Sequence, residues 1–382
     1  MAAINRVLFY DDAPEYGGHQ VMAIEGVRHL VATNQCSVSF AFYERNARLF
    51  QELSRIKDDV GNIDLYPLKF GSRTLQAVRT FTSPVKSKYL TAFMKRINPD
   101  MVLVVQGRIE SSSMGLFAAK RAKLYAISYI PMAHAVSLVG RSLLSETRER
   151  LNRYFYSLPD KIITISDSAR QMLLDRGAKA NITVVSNGIR KITVQPIDRE
   201  HFRSANEITA YDYLVGIVGR IDFRQKGQDF AIESIARYRS ELDKCKFVFV
   251  GDGHDRSRLE ELIAGLGLQK NVRLLPWSDN AKHIYAGLDM LMIPSKYEGV
   301  PLVMLEGMSC GLPVIASDVD GMAELLPKDW LFRYGDSKGL IDTLLRVKTS
   351  GNLTLLDLNK VKVNTEYSIS AFCDGFSAAV LE

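Results

Sequence analysis

The 382-residue chain is poor in several features that would mark common protein classes. It has four cysteines, Cys36, Cys245, Cys310 and Cys373, and no two of them form a Cys-x-x-Cys pair. Neither a zinc site nor a disulfide framework is indicated, and a reducing cytosol fits. No window reaches about 18 consecutive apolar residues, so no transmembrane helix is expected. The first residues, Met1 to Tyr10, run straight into a strand and lack the layout of a signal peptide. A cytoplasmic location is therefore expected. No Asp-x-Asp pair is read as a metal site, and no metal or other cofactor is expected.

Acidic residues are also missing, locally. None occurs between Asp64 and Asp100, a stretch that holds Lys69, Arg73, Arg79, Lys86, Lys88, Lys95 and Arg96. The net charge of +6 conceals an asymmetry: residues 1–190 carry +10 and the remainder −4. Within residues 69–96 the cations alternate with Phe70, Phe81, Tyr89 and Phe93. Helices in one or two pieces, broken near Pro84, are expected there. Basic residues interleaved with aromatics suit an anionic membrane surface, and attachment to the inner face of a membrane is expected. The same pattern also describes a solvated helix face on a basic protein. No RNA-binding motif accompanies it, and nucleic acid is not expected.

What the sequence does contain is organised around residues 293–317. An apolar run, Leu288 to Ile293, reads as a buried strand that stops at Pro294. A loop with Tyr297, Glu298 and Gly299 follows, and Val300, Pro301 and Leu302 lead into a short helix, since proline is tolerated at a first helical position. Gly311 ends the helix, and Pro-Val-Ile-Ala begins the next strand. A helix start offers free N–H groups and about half a positive charge, which attracts phosphate. Glu298 and Glu306 flank that start. A carboxylate beside a phosphate site is useful where it accepts hydrogen bonds from hydroxyls. Together these features suit a nucleotide-sugar. A capped surface helix with two solvated glutamates is the plainer alternative.

Glu298 and Glu306 also form an E-x7-E motif, followed by G-x-P-V-I-A at Gly311 to Ala316. Gly219-Arg-Ile-Asp-Phe-Arg-Gln-Lys-Gly227 has the form G-R-x-x-x-x-K-G. In these motifs the chain resembles the GT-B retaining glycosyltransferases of family four. The resemblance extends over most of the chain and is closest in its C-terminal half. It implies an α/β fold of two Rossmann-like domains facing a cleft, with a nucleotide-diphosphate-sugar as donor and a glycan or lipid-linked acceptor. It assigns Arg220 and Lys226 to the donor diphosphate, Glu298 to hydroxyls of the donor sugar and Glu306 to the nucleotide ribose. It sets Gly17 and Gly18, in the loop after the first strand, towards the bound substrates, and His134 towards the donor sugar. The family's usual His-Asp is His134-Ala135 here. Leu274 to Asp279, with Trp277, occupies the loop that cradles the base.

Taken as residues alone, Gly17-Gly18 also suits a plain strand-to-helix turn, and His134 a histidine satisfied by backbone. Asn187 and Gly251-Asp252-Gly253 are read as turns. Strand and helix alternate through both halves, which argues for parallel sheets. The expected division is 1–190 as an acceptor-side domain, 191–210 as a polar linker, 211–362 as the donor domain and 363–382 as a helix returning to the first domain. Three rivals share the donor site: a soluble-acceptor enzyme like sucrose or glycogen synthase, a nucleotide-sugar epimerase and a non-catalytic nucleotide-sugar-binding module.

Overall fold

Runs such as Val7 to Tyr10 and Met101 to Val105 show no polar alternation, which a strand carries only when both of its faces are covered. In the computed structural model, which describes residues 4–139, 145–278, 281–350 and 353–382, such runs lie inside two parallel sheets with helices around them. The chain divides into two units, one of residues 1–188 with 369–382 and one of residues 189–368.

The first unit holds β1 (Arg6–Asp11), β2 (Ser37–Tyr43), β3 (Ile63–Leu68), β4 (Met101–Val105), β5 (Tyr125–Tyr129), β6 (Lys161–Thr164) and β7 (Asn181–Val184). They are parallel, in the order β3-β2-β1-β4-β5-β6-β7. The order reverses between β1 and β4, and open α/β sheets bind ligands beyond the strand ends at such a point. The helix Ile369–Leu381 belongs to this unit. Its Phe376 is fully buried and sits between the rings of Phe9 and Tyr129, at centroid distances of 6.5 and 5.7 Å.

The second unit holds β8 (Tyr213–Val218), β9 (Cys245–Val250), β10 (Val272–Leu275), β11 (Met290–Ile293), β12 (Val314–Ser317) and β13 (Leu331–Phe332). Their order is β10-β9-β8-β11-β12-β13, again parallel, with the reversal between β8 and β11.

The α/β class with two Rossmann-like sheets is as expected. The stretch 191–210, expected to be a polar linker, instead contains the helix Pro196–Ala205, which is part of the second unit. Phe202 packs against Gly287, and polar contacts hold the helix as well. Arg199 and Arg203 both donate to the Asp289 carboxylate, at 2.5 and 3.1 Å, and Arg203 is 7% exposed. The basic stretch forms two helices, Gln76–Thr82 and Pro84–Ile97, with Pro84 in the first turn of the second. No described helix is long and apolar enough to cross a membrane.

Candidate functional site

The reversal of strand order in the second sheet places the loop after β8 beside the loop after β11. The first runs from Gly219 to Gly227, the second from Pro294 to Pro301. They touch through backbone. Lys296 N–H donates to the Gln225 carbonyl at 2.8 Å. Gly227 has φ +65°, and a Cβ there would lie 2.1 Å from the Pro294 carbonyl oxygen, so no other residue fits the crossing.

This crossing brings Lys226 to Glu298. The Lys226 ammonium donates to Glu298 Oε1 at 2.5 Å, and the Ser295 hydroxyl donates to the same oxygen at 2.9 Å. Glu298 is 5% exposed, while the Lys226 side chain keeps 22% of its surface open to water. Glu298 N–H donates in turn to Asp320 Oδ2 at 2.8 Å, which ties the loop after β12 to the site. Arg220 stands in the same β8 loop with half of its side chain exposed, held by Asp222 Oδ2 and Gln225 Oε1, each at 3.1 Å.

The helix that follows is Leu302–Ser309, with Pro301 at its cap position and no side chain capping it. Pro301 thus precedes the helix by one residue, and the N–H groups of the first turn begin at Leu302. Glu306 lies further along and accepts a hydrogen bond from the Tyr285 hydroxyl at 2.6 Å. Burial raises the Glu306 pKa, and that hydrogen bond opposes the rise. Burial and the Glu306 charge together push the Tyr285 phenol well above its ordinary value.

The loops after β9 and β10 join the same edge. Ile221 N–H donates to the Asp252 carbonyl at 2.9 Å, and Trp277 N–H to Asp252 Oδ2 at 3.1 Å. Trp277 is 52% exposed. Asp279, named with it as part of the base loop, lies outside the described residues. Among the described residues, Asp222, His254 and Asp255 bring ligand atoms within 4.8 Å of one another, the grouping a cation would need. Asp222 Oδ2 is engaged by Arg220, and the Asp255 carboxylate by Arg258 and the Phe223 N–H, while Asp222 Oδ1 is buried without a hydrogen-bond partner. These contacts tie the Arg220 loop to the loop after β9.

Gly17, Gly18 and His134 are in the first unit. Gly17 caps the helix Gly18–Ala32, and its N–H donates to Gln20 Oε1 at 2.7 Å. A Cβ on Gly18 would meet no protein atom within 4 Å, so the fold itself does not demand glycine there. His134 follows β5 in the segment Pro131–Ala135, at the C-terminal edge of the first sheet. Gln20 Nε2 donates to buried Asp11 Oδ2 at 2.7 Å. Burial raises the Asp11 pKa to about 7. Burial, with Arg108 nearby, lowers that of His19 to about 4.

Tyr285, Ser295 and Asp222 were not foreseen from the sequence. Tyr285 meets Glu306 from another helix, 21 residues away, and no local spacing announces it. Ser295 lies three positions before Glu298, which was the nearest available signal.

Comparison with known proteins adds the family. A model described as Glycosyltransferase Family 4 matches residues 16–191, and one described as Glycosyl transferases group 1 matches residues 212–349. The chain is 28% identical over 229 residues to the lipopolysaccharide core biosynthesis glycosyltransferase LpsD of Rhizobium meliloti, covering 59% of this chain and 63% of that one. To the lipopolysaccharide glucosyltransferase WaaG of Escherichia coli it is 34% identical over 139 residues, covering 36% and 37%. The chain thus spans less than two thirds of the length of the curated relatives it matches. The crystal structure of Anabaena HepE in complex with UDP and glucose has a TM-score of 0.78 at 17% identity, over 98% of this chain and 99% of that one. That likeness speaks for the fold. With one model of the group on each unit and the matching two-sheet fold, the chain belongs to the family-four glycosyltransferases of GT-B architecture.

Proposed function

We propose that this protein moves a sugar from a nucleotide-diphosphate-sugar to an acceptor, with retention of anomeric configuration. The observation that carries the reading is the meeting of Lys226 with Glu298 where the second sheet reverses its strand order, beside Arg220 and an uncapped helix start. Such a place holds phosphate by charge and backbone N–H, and polyol by carboxylate.

When the bond from the sugar's anomeric carbon to the phosphate oxygen breaks, negative charge grows on the diphosphate. Arg220, Lys226 and the N–H groups from Leu302 onward stabilise that charge, and this electrostatic support lowers the barrier more than any other effect. Removing one such donor costs roughly 2–4 kcal/mol of barrier. Glu298 orients the sugar through its hydroxyls, Glu306 the ribose, and Trp277 lies against the base. His134, Gly17 and Gly18 are assigned to substrate on the family resemblance alone. The role needs no metal, since cationic side chains and a helix end offset the charge.

The acceptor is a glycan or lipid-linked precursor of a cell-envelope polysaccharide or lipopolysaccharide. Relatives named for lipopolysaccharide core biosynthesis support this class. The helices Gln76–Thr82 and Pro84–Ile97 support a membrane-surface acceptor. They expose Phe81, Val85 and Tyr89 among Lys88, Lys95 and Arg96. Binding to anionic vesicles but not to neutral ones is expected. The reaction is tested with a radiolabelled donor and Glu298→Gln: loss of transfer supports the reading, and unchanged transfer removes Glu298 from the site.

A further inference from the structure

We propose that a basic pocket on the first unit binds a phosphate group carried by the acceptor. Calling that ligand the acceptor rests on the transferase reading above. The site itself stands on its own geometry.

A cavity of about 450 Å³ opens beside the loop that follows β3, walled by Pro14, Tyr43, Gly71, Arg73 and Arg79. A smaller recess shares Gly71, Arg73 and Arg79 and adds Lys86 and Asp12. Three cationic side chains therefore converge on one place. Among the described residues none of the three has a carboxylate partner within ion-pair distance. Arg79 is anchored by its Nε, which donates to the Thr74 carbonyl at 3.0 Å and leaves its terminal nitrogens to other partners. The Lys86 ammonium lies 5.3 Å from the centre of the Phe70 ring. Like charges gathered without counter-charge repel one another, and an anion between them removes that cost.

Asp12 is the one carboxylate among the lining residues, and it is turned to other work. It accepts hydrogen bonds from the Tyr10 hydroxyl at 2.8 Å and from the Ser72 hydroxyl. Burial pushes its carboxyl up, so it opposes an anion less than an exposed aspartate would.

The loop that presents Arg73 is built rather than loose. Ser72 N–H donates to the Asp12 carbonyl at 2.7 Å, Ser112 N–H to Ser72 Oγ at 2.9 Å, and Asp12 N–H to Ser112 Oγ at 3.2 Å. Arg73 N–H donates to Gln76 Oε1 at 3.0 Å. A Cβ on Gly71 would lie 2.5 Å from the Tyr43 ring and 2.7 Å from the Asp12 carbonyl, so only glycine lets the loop press this close. Leu75, just beyond, has φ +62°, a left-handed conformation that strains a leucine. Buried bonds and a strained residue fix the backbone that presents Arg73, and the exposed Arg73 and Arg79 side chains border a space large enough for a phosphate and the sugar that bears it. Guanidinium groups match phosphate oxygens in pairs, which favours phosphate over a lone carboxylate.

The test titrates the full chain with glucose 6-phosphate and with glucose. It also sediments the chain with vesicles of phosphatidylglycerol or of phosphatidylcholine. Binding of an anionic phosphate probe, glucose 6-phosphate or phosphatidylglycerol vesicles, is expected, with none to glucose or to vesicles of zwitterionic phosphatidylcholine, whose phosphate charge is balanced by its choline. Arg73→Gln with Arg79→Gln should weaken it roughly 10- to 100-fold, and the corresponding lysine pair should restore part of it. Arg220→Ala with Lys226→Ala should leave that component in place. If the soluble ester shows this dependence, the phosphate belongs to a water-borne acceptor. If the vesicles alone show it, the phosphate is a lipid headgroup. Binding indifferent to Arg73 and Arg79, or no binding of either phosphate probe, overturns the pocket. Nucleotide-sugar titrations run beside these separate the two proposals. Retained donor binding in the Arg73/Arg79 variant is expected, and failure of the unaltered protein to bind any donor refutes the transferase reading alone.

Discussion

Lys226 and Glu298 lie 72 residues apart in the chain and meet at 2.5 Å. The contact couples the ends of β8 and β11 and leaves the glutamate almost without water. Removing the ammonium alone strands a buried charge. Lys226→Met should destabilise the second unit by about 2–3 kcal/mol, less than a fully buried pair because the lysine still touches water. Lys226→Met with Glu298→Gln should recover part of that loss. Urea unfolding of the four members of the cycle checks this, and additive losses would show that the pair is not coupled.

Tyr285 holds Glu306 by a hydrogen bond that opposes the effect of burial. Tyr285→Phe removes that bond, so the Glu306 carboxyl should take up its proton at a higher pH. If an ionised Glu306 accepts the ribose hydroxyls, nucleoside diphosphate affinity should fall roughly tenfold at neutral pH. The acid limb of affinity against pH should move upward. Affinity and profile both unchanged would take Glu306 out of the ribose site.

Phe376 fills the first unit from the far end of the chain, between Phe9 and Tyr129. Phe376→Ala should cost about 3–5 kcal/mol, through lost contact and the cavity left behind. Thermal unfolding would show it. A loss below about 1 kcal/mol would mean that the final helix is not part of that unit's core.

Asp11 and His19 give the first unit opposing pH dependences. The folded state keeps Asp11 protonated up to about pH 7, where the unfolded chain has released the proton. Its contribution is therefore present at low pH and is lost as pH rises towards and through 7. His19, whose pKa falls to about 4, contributes stability above its unfolded value and loses it as pH falls. Between about pH 4 and 6.5 the two partly cancel. Asp11→Asn removes one of them, so relative to the unaltered protein the variant should gain stability from pH 5 to pH 8. Denaturant titrations at both values test this, and parallel curves would contradict it.

The strands were legible because apolar runs without alternation admit few other structures, and the Gly219–Gly227 loop because its spacing is local. The helix Pro196–Ala205 was not, since Asp289 holds its arginines from beyond the stretch itself. Each candidate site residue lay on a readable loop or helix start, except Glu306, which lies further along its helix. What each one touches did not follow, because Lys226 to Glu298 and Tyr285 to Glu306 are contacts between elements. The pocket at Arg73 was visible in outline as a segment without acidic residues. Its depth depends on the tuck of Gly71 beneath Tyr43.

The central claim is that the loops after β8 and β11 grip the diphosphate of a sugar donor. Calorimetric titration of UDP-glucose, UDP-galactose, UDP-N-acetylglucosamine and GDP-mannose into the protein and into Arg220→Ala tests it most directly. At least one donor should bind the unaltered protein, and the variant should bind it at least tenfold more weakly. Equal binding by both proteins, or no binding by either, would contradict the claim.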